Sequence, residues 1–296
     1  MSDTHFRSGF AALLGRPNVG KSTLLNGLIG EKLSIVTPRP QTTRHRVLGV
    51  LTSSESQIAF LDTPGLHRGA RRALNRAMNR TAAGALEEAH VCVLVLEAGH
   101  WTAEDAEVLG RIGGRDRPVV AAVNKIDRVR PRARLLPILA ELAGRYEFAG
   151  LVPISGLKGE NLSDLIGTIS GLLPESPPLY PPEQRTDRDF RFRIAETIRE
   201  KLTLELNQEL PYGIAVEVER AVEEDGRLNV DAAVWVDRPG QKPIVIGAGG
   251  ERLKRAGRAA RLELNRTLGH RIHLTLWVKV RSGWADSARA LAELGL

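Results

Sequence analysis

One cysteine in 296 residues, no apolar run near the length of a membrane helix and no internal repeat: the sequence is defined first by what it lacks. A lone thiol, Cys92, excludes any disulfide within the chain, and its place in the apolar run VCVLVL marks a buried strand residue. A bilayer crossing takes roughly 20 consecutive apolar residues, and no run reaches that length. Residues 1–10 also lack the apolar core of a secretory leader. These absences lead us to expect a protein of a reducing, cytoplasmic compartment.

Length and positive charge, by contrast, are present. A chain of 296 residues is long for one small domain and suits two, each with its own core. Lys and Arg number 42 against 35 acids, a formal charge of +7, and residues 251–271 alone hold seven bases against two acids. That local excess points to a nucleic acid or an anionic surface as a partner.

Between residues 10 and 173, short apolar runs (FAALL, IAFLD, VCVLVLEAG, PVVAAVNKID, LVPIS) alternate with helix-like stretches such as 74–88 and 135–146. Such alternation is the pattern of a parallel sheet wrapped in helices. The stretch LLPESPPLYPPEQRTD follows, with five prolines, and reads as an extended linker over 174–188. Beyond it, a helical stretch at 190–206 precedes two alternating segments, GIAVEVERA and RLNVDAAVWVD, joined by the turn-like EEDG. A short β-type run, KPIVIGAGG, then a basic helix at 251–268 and a last strand, RIHLTLWVKV, complete a small α+β domain. The expected division is 1–173, a linker over 174–188, and 189–296.

The stretch GRPNVGKS at 15–22 fits G-x-x-x-x-G-K-[ST] between a strand and a helix, the context in which that motif cradles phosphate. Gly15 and Gly20 let backbone N–H groups close around phosphate oxygens, aided by the positive end of the following helix. Arg16, Pro17, Asn18 and Val19 complete the loop; Lys21 reaches the β and γ phosphates, Ser22 offers a hydroxyl to Mg²⁺, and Thr23 follows. The loop alone selects no base. Asn124, Lys125 and Asp127 of NKID emerge at a strand's carboxyl edge, where open α/β sheets bind ligands. An aspartate there accepts from both N1–H and the 2-amino group of guanine, donors that adenine lacks. GTP and GDP, rather than adenine nucleotides, are therefore expected.

Together with DTPG at 62–65 and TTR at 42–44, these motifs resemble the translation-factor-like class of Ras-fold GTPases. By that resemblance Asp62 holds Mg²⁺ through water, with Thr63 and Pro64 beside it, and Gly65 senses the γ-phosphate. Thr42 or Thr43 closes over the metal, Thr43 being preferred. Leu66 stands where a Ras-type glutamine would orient water, and the nearby His67 reads as a loop histidine. In related GTPases an asparagine at the position of Asn18 helps hold K⁺ beside the phosphates, which would add Asn18 to Lys21, Thr43 and Gly65 as catalytic candidates. The alternative is that Asn18 simply suits a tight turn. ISGLKGENL resembles the fifth element of these GTPases, in which Ser155 and Gly156 meet the guanine through backbone; Gly156 stands where alanine is usual.

VIGAGGERLKRAGRAAR contains G-x-x-G at 247–250 before a basic helix and resembles the KH domain of the second topology, whose loop lets a single-stranded nucleic-acid backbone come close. Gly247, Ala248, Gly249 and Gly250 would form the loop, with Arg252, Lys254, Arg255 and Arg258 beyond it. No basic residue lies between the glycines, so affinity should lean on that helix and depend on salt. Taken whole, with QTTR, DTPGLH, SGLKGEN and the closing SGWADSARAL, the chain resembles the Era family of bacterial Ras-like GTPases. The resemblance implies an α/β Ras-like P-loop GTPase domain followed by a small α+β type II KH domain. It further implies a monomer that binds 16S ribosomal RNA near its 3′ end, assists 30S subunit assembly and touches the inner membrane peripherally. A different class, a membrane-associated regulator whose basic domain binds anionic lipid, competes with that expectation. A tandem-GTPase factor does not, since there is one phosphate loop.

Overall fold

The structure is a computed structural model that describes residues 6–39, 42–64, 73–114, 116–206 and 213–294. The chain divides into two compact units. The first gathers 1–34, 43–68 and 78–187; the second gathers 35–42, 69–77 and 188–296.

In the first unit the elements run β1 (Arg7–Leu14), α1 (Lys21–Ile29), β2 (Val47–Thr52), β3 (Ser56–Asp62), α2 (Ala73–Glu88), β4 (Val91–Glu97), α3 (Ala103–Ile112), β5 (Val119–Asn124), α4 (Leu135–Ala143), β6 (Gly150–Pro153) and α5 (Leu162–Leu172). The first residues of α2 are counted with the second unit. The sheet order is β2-β3-β1-β4-β5-β6. All five apolar runs read from the sequence are strands, and four of their pairings are parallel because helices carry each return. The sixth strand, β2, departs from the expected parallel sheet: it pairs antiparallel with β3 at the edge. Gly49 weakens it as a sequence signal. The glycine is needed all the same, because a Cβ there would lie 2.7 Å from Leu25 Cδ1 and 2.9 Å from Ile29 Cγ1 of α1.

Strands β1, β4 and β5 are apolar at nearly every position since both of their faces are covered, and Cys92 is buried among them. The proline-rich stretch forms no helix or named strand and is hydrogen-bonded to β1, β2 and β3. Buried Gln57 accepts from the Leu179 and Tyr180 amides at 2.7 and 2.9 Å and donates to the Tyr180 carbonyl at 2.8 Å. Ser8 Oγ donates to the Pro177 carbonyl, and the Val50 amide to the Arg185 carbonyl.

The second unit continues with α6 (Phe190–Glu205), β7 (Ile214–Glu224), β8 (Arg227–Val236), α7 (Gln241–Ile246), α8 (Glu251–Leu268), β9 (Arg271–Val280) and α9 (Ala288–Glu293). Asp225 and Gly226 both take positive φ, so the EEDG hairpin turns as the sequence implies. β9 joins β8 in parallel, which requires the crossover that α7 and α8 supply. Ile194, Ile198 and Leu202 of α6 and Ala256, Ala260 and Leu264 of α8 recur at the helical period and pack with Val230, Ala232 and Val234 of β8. The order α-β-β-α-α-β is that of the type II KH fold. One local expectation is corrected: the run read as β-type at 242–246 is the helix α7. Gln241 Oε1 accepts from the amides of Asp237 and Arg238 and fixes the helix start, and Val245 is buried. Tertiary packing outweighs the β-branched composition of that short run.

Candidate functional site

The carboxyl ends of β1, β3, β4, β5 and β6 lie along one edge of the first sheet, with Leu13 beside Asp62, Glu97 beside Asn124 and Val123 beside Pro153. The loops that follow these strands carry the predicted nucleotide residues, and they meet where the strand order reverses about β1. Gly20 caps α1 in the left-handed region at φ 102°, and a Cβ on it would overlap the Asn124 amide nitrogen. Only glycine fits there. Asn18 also takes a positive φ, 64°, so a tight-turn role for it is built into the loop.

Asn124 knits three loops together. Its Nδ2 donates to the Val19 carbonyl at 2.9 Å, and its Oδ1 accepts from the amides of Lys125 at 2.8 Å and Gly156 at 2.9 Å. Gly156 is closely packed: a Cβ would stand 3.1 Å from Leu24 Cα of α1. Ser155 Oγ donates to Asp127 Oδ1 at 2.6 Å and so sets the rotation of the carboxylate assigned to the base. Lys125, at φ 66°, donates from Nζ to the Asn18 carbonyl and to Glu97 Oε2, both at 2.8 Å.

At the phosphate end, buried Lys21 donates from Nζ to the carbonyls of Gly15 (2.8 Å) and Arg16 (3.0 Å). The Arg16 side chain turns to Asp105 and Glu97, so any part it takes in holding phosphate falls to its backbone. Ser22 Oγ lies 2.8 Å from Thr43 Oγ1 and donates to Asp62 Oδ2 at 2.8 Å, an oxygen that also accepts from Ser34 Oγ at 2.9 Å. The other oxygen, Asp62 Oδ1, is buried with no hydrogen-bond partner among the described residues. Two hydroxyls and a carboxylate with an unmet oxygen fit a hard cation such as Mg²⁺. Among the described residues no three His, Cys, Asp or Glu side chains converge, so water and phosphate oxygens would fill the rest of any such shell.

Thr42 and Thr43 separate clearly. Thr42 Oγ1 is engaged with Thr37 Oγ1 and donates to the Arg39 carbonyl, whereas Thr43 Oγ1 sits beside Ser22. Thr63 Oγ1 donates back into β1 at Leu13, and Pro64 is buried after it. Pro17 and Thr23 are half-buried beside the loop. Gly65, Leu66 and His67 lie outside the described residues.

In the second unit Gly247, Gly249 and Gly250 all take positive φ, and Gly250 caps α8. The Gly250 amide donates to the Gly247 carbonyl at 3.1 Å, which closes the loop. Beside it runs a groove of about 460 Å³ whose walls include Lys254, Arg258 and Arg261, over a floor of Leu253, Leu274 and Leu276. Lys254 and Arg258 line the groove, whereas Arg255 pairs with Glu205 at 2.9 Å and Arg252 donates to the Ile244 carbonyl at 2.5 Å. Arg261 was missed from the sequence, although it lies one helical turn beyond Arg258.

Residues 10–125 match the family of 50S ribosome-binding GTPases, and residues 209–285 match the KH domain. A GTPase Era of Coxiella burnetii is 48% identical over 97% of this chain and 97% of its own, and one of Xanthomonas oryzae is 48% identical over 98% and 97%. The chain belongs to the GTPase Era family. A crystal structure of an Aquifex aeolicus Era variant bound to GDP·AlF₄⁻ superposes with a TM-score of 0.94 at 40% identity, covering 98% of this chain and 99% of that one. A structure of Era with MgGDPNP and nucleotides 1506–1542 of 16S ribosomal RNA matches with the same score, identity and coverage. Membership makes the protein a GTPase with a type II KH domain. No helix among the described residues is long and apolar enough to cross a membrane.

Within this Era family site, burial lowers the Lys21 ammonium to about 8, with Arg16 adding to the fall and Asp62 and Asp105 opposing it. Burial pushes the Asp62 carboxyl up, against the pull of Lys21 and the Ser22 and Ser34 hydroxyls. Both shifts record one fact: burial in this site desolvates charge that phosphate and metal would compensate. Because the folded pKa of Lys21 lies below 10.5, its charge costs stability below about pH 8, and that cost is relieved between 8 and 10.5. A diphosphate favours the ammonium and draws the proton back. Through Lys21, GDP binding in EDTA should therefore take up more protons at pH 8.5 than at pH 7. Calorimetry in two buffers of different ionisation enthalpy measures this; equal uptake at both pH values would contradict it.

Proposed function

We propose that the protein is a GTP-driven switch that hydrolyses GTP, grips the 3′-end region of 16S ribosomal RNA through its KH domain and assists assembly of the 30S subunit. The observation that carries this reading is its match, over 98% of the chain, to an Era structure holding both MgGDPNP and a 16S RNA segment. Phosphoryl transfer needs the γ-phosphate held and its developing charge neutralised. Lys21 and the N–H groups of 15–22 hold it, while Ser22, Thr43 and Asp62 are the residues to hold Mg²⁺, which supplies the neutralising charge when bound. Asn124, Asp127, Ser155 and Gly156 read the base. K⁺ beside the phosphates, through Asn18, belongs to the same reading. So do a monomeric state and cytoplasmic residence with peripheral contact to the inner membrane.

Hydrolysis here times RNA binding: with Thr43 turned to the γ-phosphate side and to a bound Mg²⁺, its segment would be held in order, and cleavage of the γ-phosphate would free it. The test is binding of the purified protein to a 16S 3′-end RNA fragment, with a non-hydrolysable GTP analogue and with GDP, at two salt concentrations. Binding tighter in the GTP state and weakened by salt is expected. Equal, weak binding in both states, with acidic vesicles outcompeting the RNA, would replace this reading by the anionic-lipid one.

A further inference from the structure

Four charged side chains form a chain across the nucleotide site. Asp105 is fully buried at the start of α3, where its Oδ2 accepts from the Thr102 amide and hydroxyl in a capping box and also from Arg16 Nε at 3.1 Å. Its Oδ1 has no hydrogen-bond partner among the described residues, and Arg16 is the cation in direct contact with this buried charge. Breaking such a pair from one side is strongly unfavourable, and the capping box keeps Asp105 from following its partner. Arg16 is thereby pinned, and with it the first half of the phosphate loop.

Glu97, the last residue of β4, carries the connection onward. Its Oε2 lies 3.4 Å from Arg16 Nη2 and 2.8 Å from Lys125 Nζ, so one carboxylate oxygen meets a cation of the phosphate loop and a cation of the guanine-reading loop. The side chains of Arg16, Glu97 and Lys125 are 16%, 20% and 20% exposed, which leaves them less screened than surface ion pairs. Burial pushes the Glu97 carboxyl up, but the hydrogen bond and charge of Lys125, with Arg16 and His100, bring it below the usual range, so it is ionised at neutral pH. The Lys125 ammonium donates onward to the Asn18 carbonyl, at the crest of the phosphate loop.

We propose that Glu97 is a positioning residue that locks the phosphate loop to the guanine-reading loop through Arg16 and Lys125, setting how long the site retains its nucleotide. The proposal rests on the guanine-nucleotide reading of this site. Glu97 touches no phosphate or base; it acts through the two cations. Without its charge Lys125 and Arg16 repel across the gap between the loops, and each loop gains freedom that nucleotide binding must then remove.

The test is full-length Glu97→Gln, which keeps shape and removes charge, compared with wild type for release of a fluorescent GDP in Mg²⁺ by stopped flow. Release should quicken about tenfold, the scale of a lost charge-assisted hydrogen bond. Single-turnover hydrolysis of pre-bound GTP should stay within about twofold, since the phosphoryl-transfer groups are untouched. Arg16→Met should also speed release, and the double variant should release more slowly than the product of the two single effects, because both open one lock. If Glu97→Gln does not fold, judged by circular dichroism, Arg16→Met and Glu97→Asp carry the test, the shorter carboxylate reaching only one cation and giving an intermediate rate. Wild-type release rates in both single variants, or fully additive effects, would overturn the proposal. Wild-type protein binding ADP as tightly as GDP would instead overturn the guanine reading beneath it.

Discussion

Asp127→Asn is expected to cost the protein about 10²–10⁴ in GDP affinity, because two hydrogen bonds to an ionised acceptor at roughly 1.5–3 kcal/mol each are lost. The geometry sharpens the expectation. Ser155 Oγ donates to Asp127 Oδ1 at 2.6 Å, and an asparagine will keep that bond by turning its oxygen to Ser155. Its NH₂ group then occupies the place of Oδ2 and faces a base edge. Guanine presents two donors there, so donor meets donor. Xanthine presents a carbonyl in place of the 2-amino group, and the same rotamer donates to it. Competition of xanthosine diphosphate and GDP against a fluorescent nucleotide measures both halves: the variant should prefer the xanthine nucleotide. Retained preference for GDP would place guanine recognition elsewhere than on Asp127.

How much of this was legible in the sequence depended on whether the signal was local. GRPNVGKS announces its own function, since its glycines, lysine and serine are all required within eight residues. The apolar runs of β1, β4 and β5 were equally plain, because burial on both faces leaves no polar alternation to misread. Edge strand β2 was not, since a glycine needed by α1 interrupts a short run. Helix α7 was misread for the converse reason: Pro, Ile and Val favour extension locally, and the tie of the Gln241 side chain to the amides of Asp237 and Arg238, with burial of Val245, decides otherwise.

Residues that act through space left the faintest trace. Glu97 is a single acid closing an apolar strand, and Asp105 looks like an ordinary member of an N-terminal capping box. Only the parallel register that sets Glu97 beside Asn124 brings that carboxylate to Lys125. Ser34, which completes the hydroxyl pair on Asp62, sits in a loop whose sequence carries no pattern. The choice between Thr42 and Thr43 likewise needed coordinates, because one hydroxyl is spent on Thr37 and Arg39 while its neighbour stands at Ser22. Motifs give the chemistry of a site; the partners that hold those motifs in place come from the fold.

The G-x-x-G loop supplies the second large effect. Substituting both Ala248 and Gly249 by aspartate should lower affinity for a 16S 3′-end RNA fragment by about 30-fold or more, since two carboxylates near phosphates cost roughly 1–4 kcal/mol apiece between the water and protein-surface limits of dielectric. The fold should survive. Both residues are exposed, a Cβ on Gly249 meets nothing within 4 Å, and aspartate tolerates the φ of 58° better than most residues. Gly247 is the opposite case: at φ 77° its Cβ would stand 2.6 Å from Arg252 Cβ, and Arg252 is tethered to the Ile244 carbonyl. Gly247→Ala should therefore lower RNA affinity by deforming the loop and should also lower the melting temperature. Intrinsic GTP hydrolysis should be unchanged in the aspartate pair, because the substituted loop contributes nothing to the phosphate site. Loss of RNA binding with normal melting and normal hydrolysis would assign the phosphodiester backbone to this loop. Retained binding would move the RNA path away from it, onto the helix face of Lys254, Arg258 and Arg261, where charge reversal at those three positions would then have to abolish it.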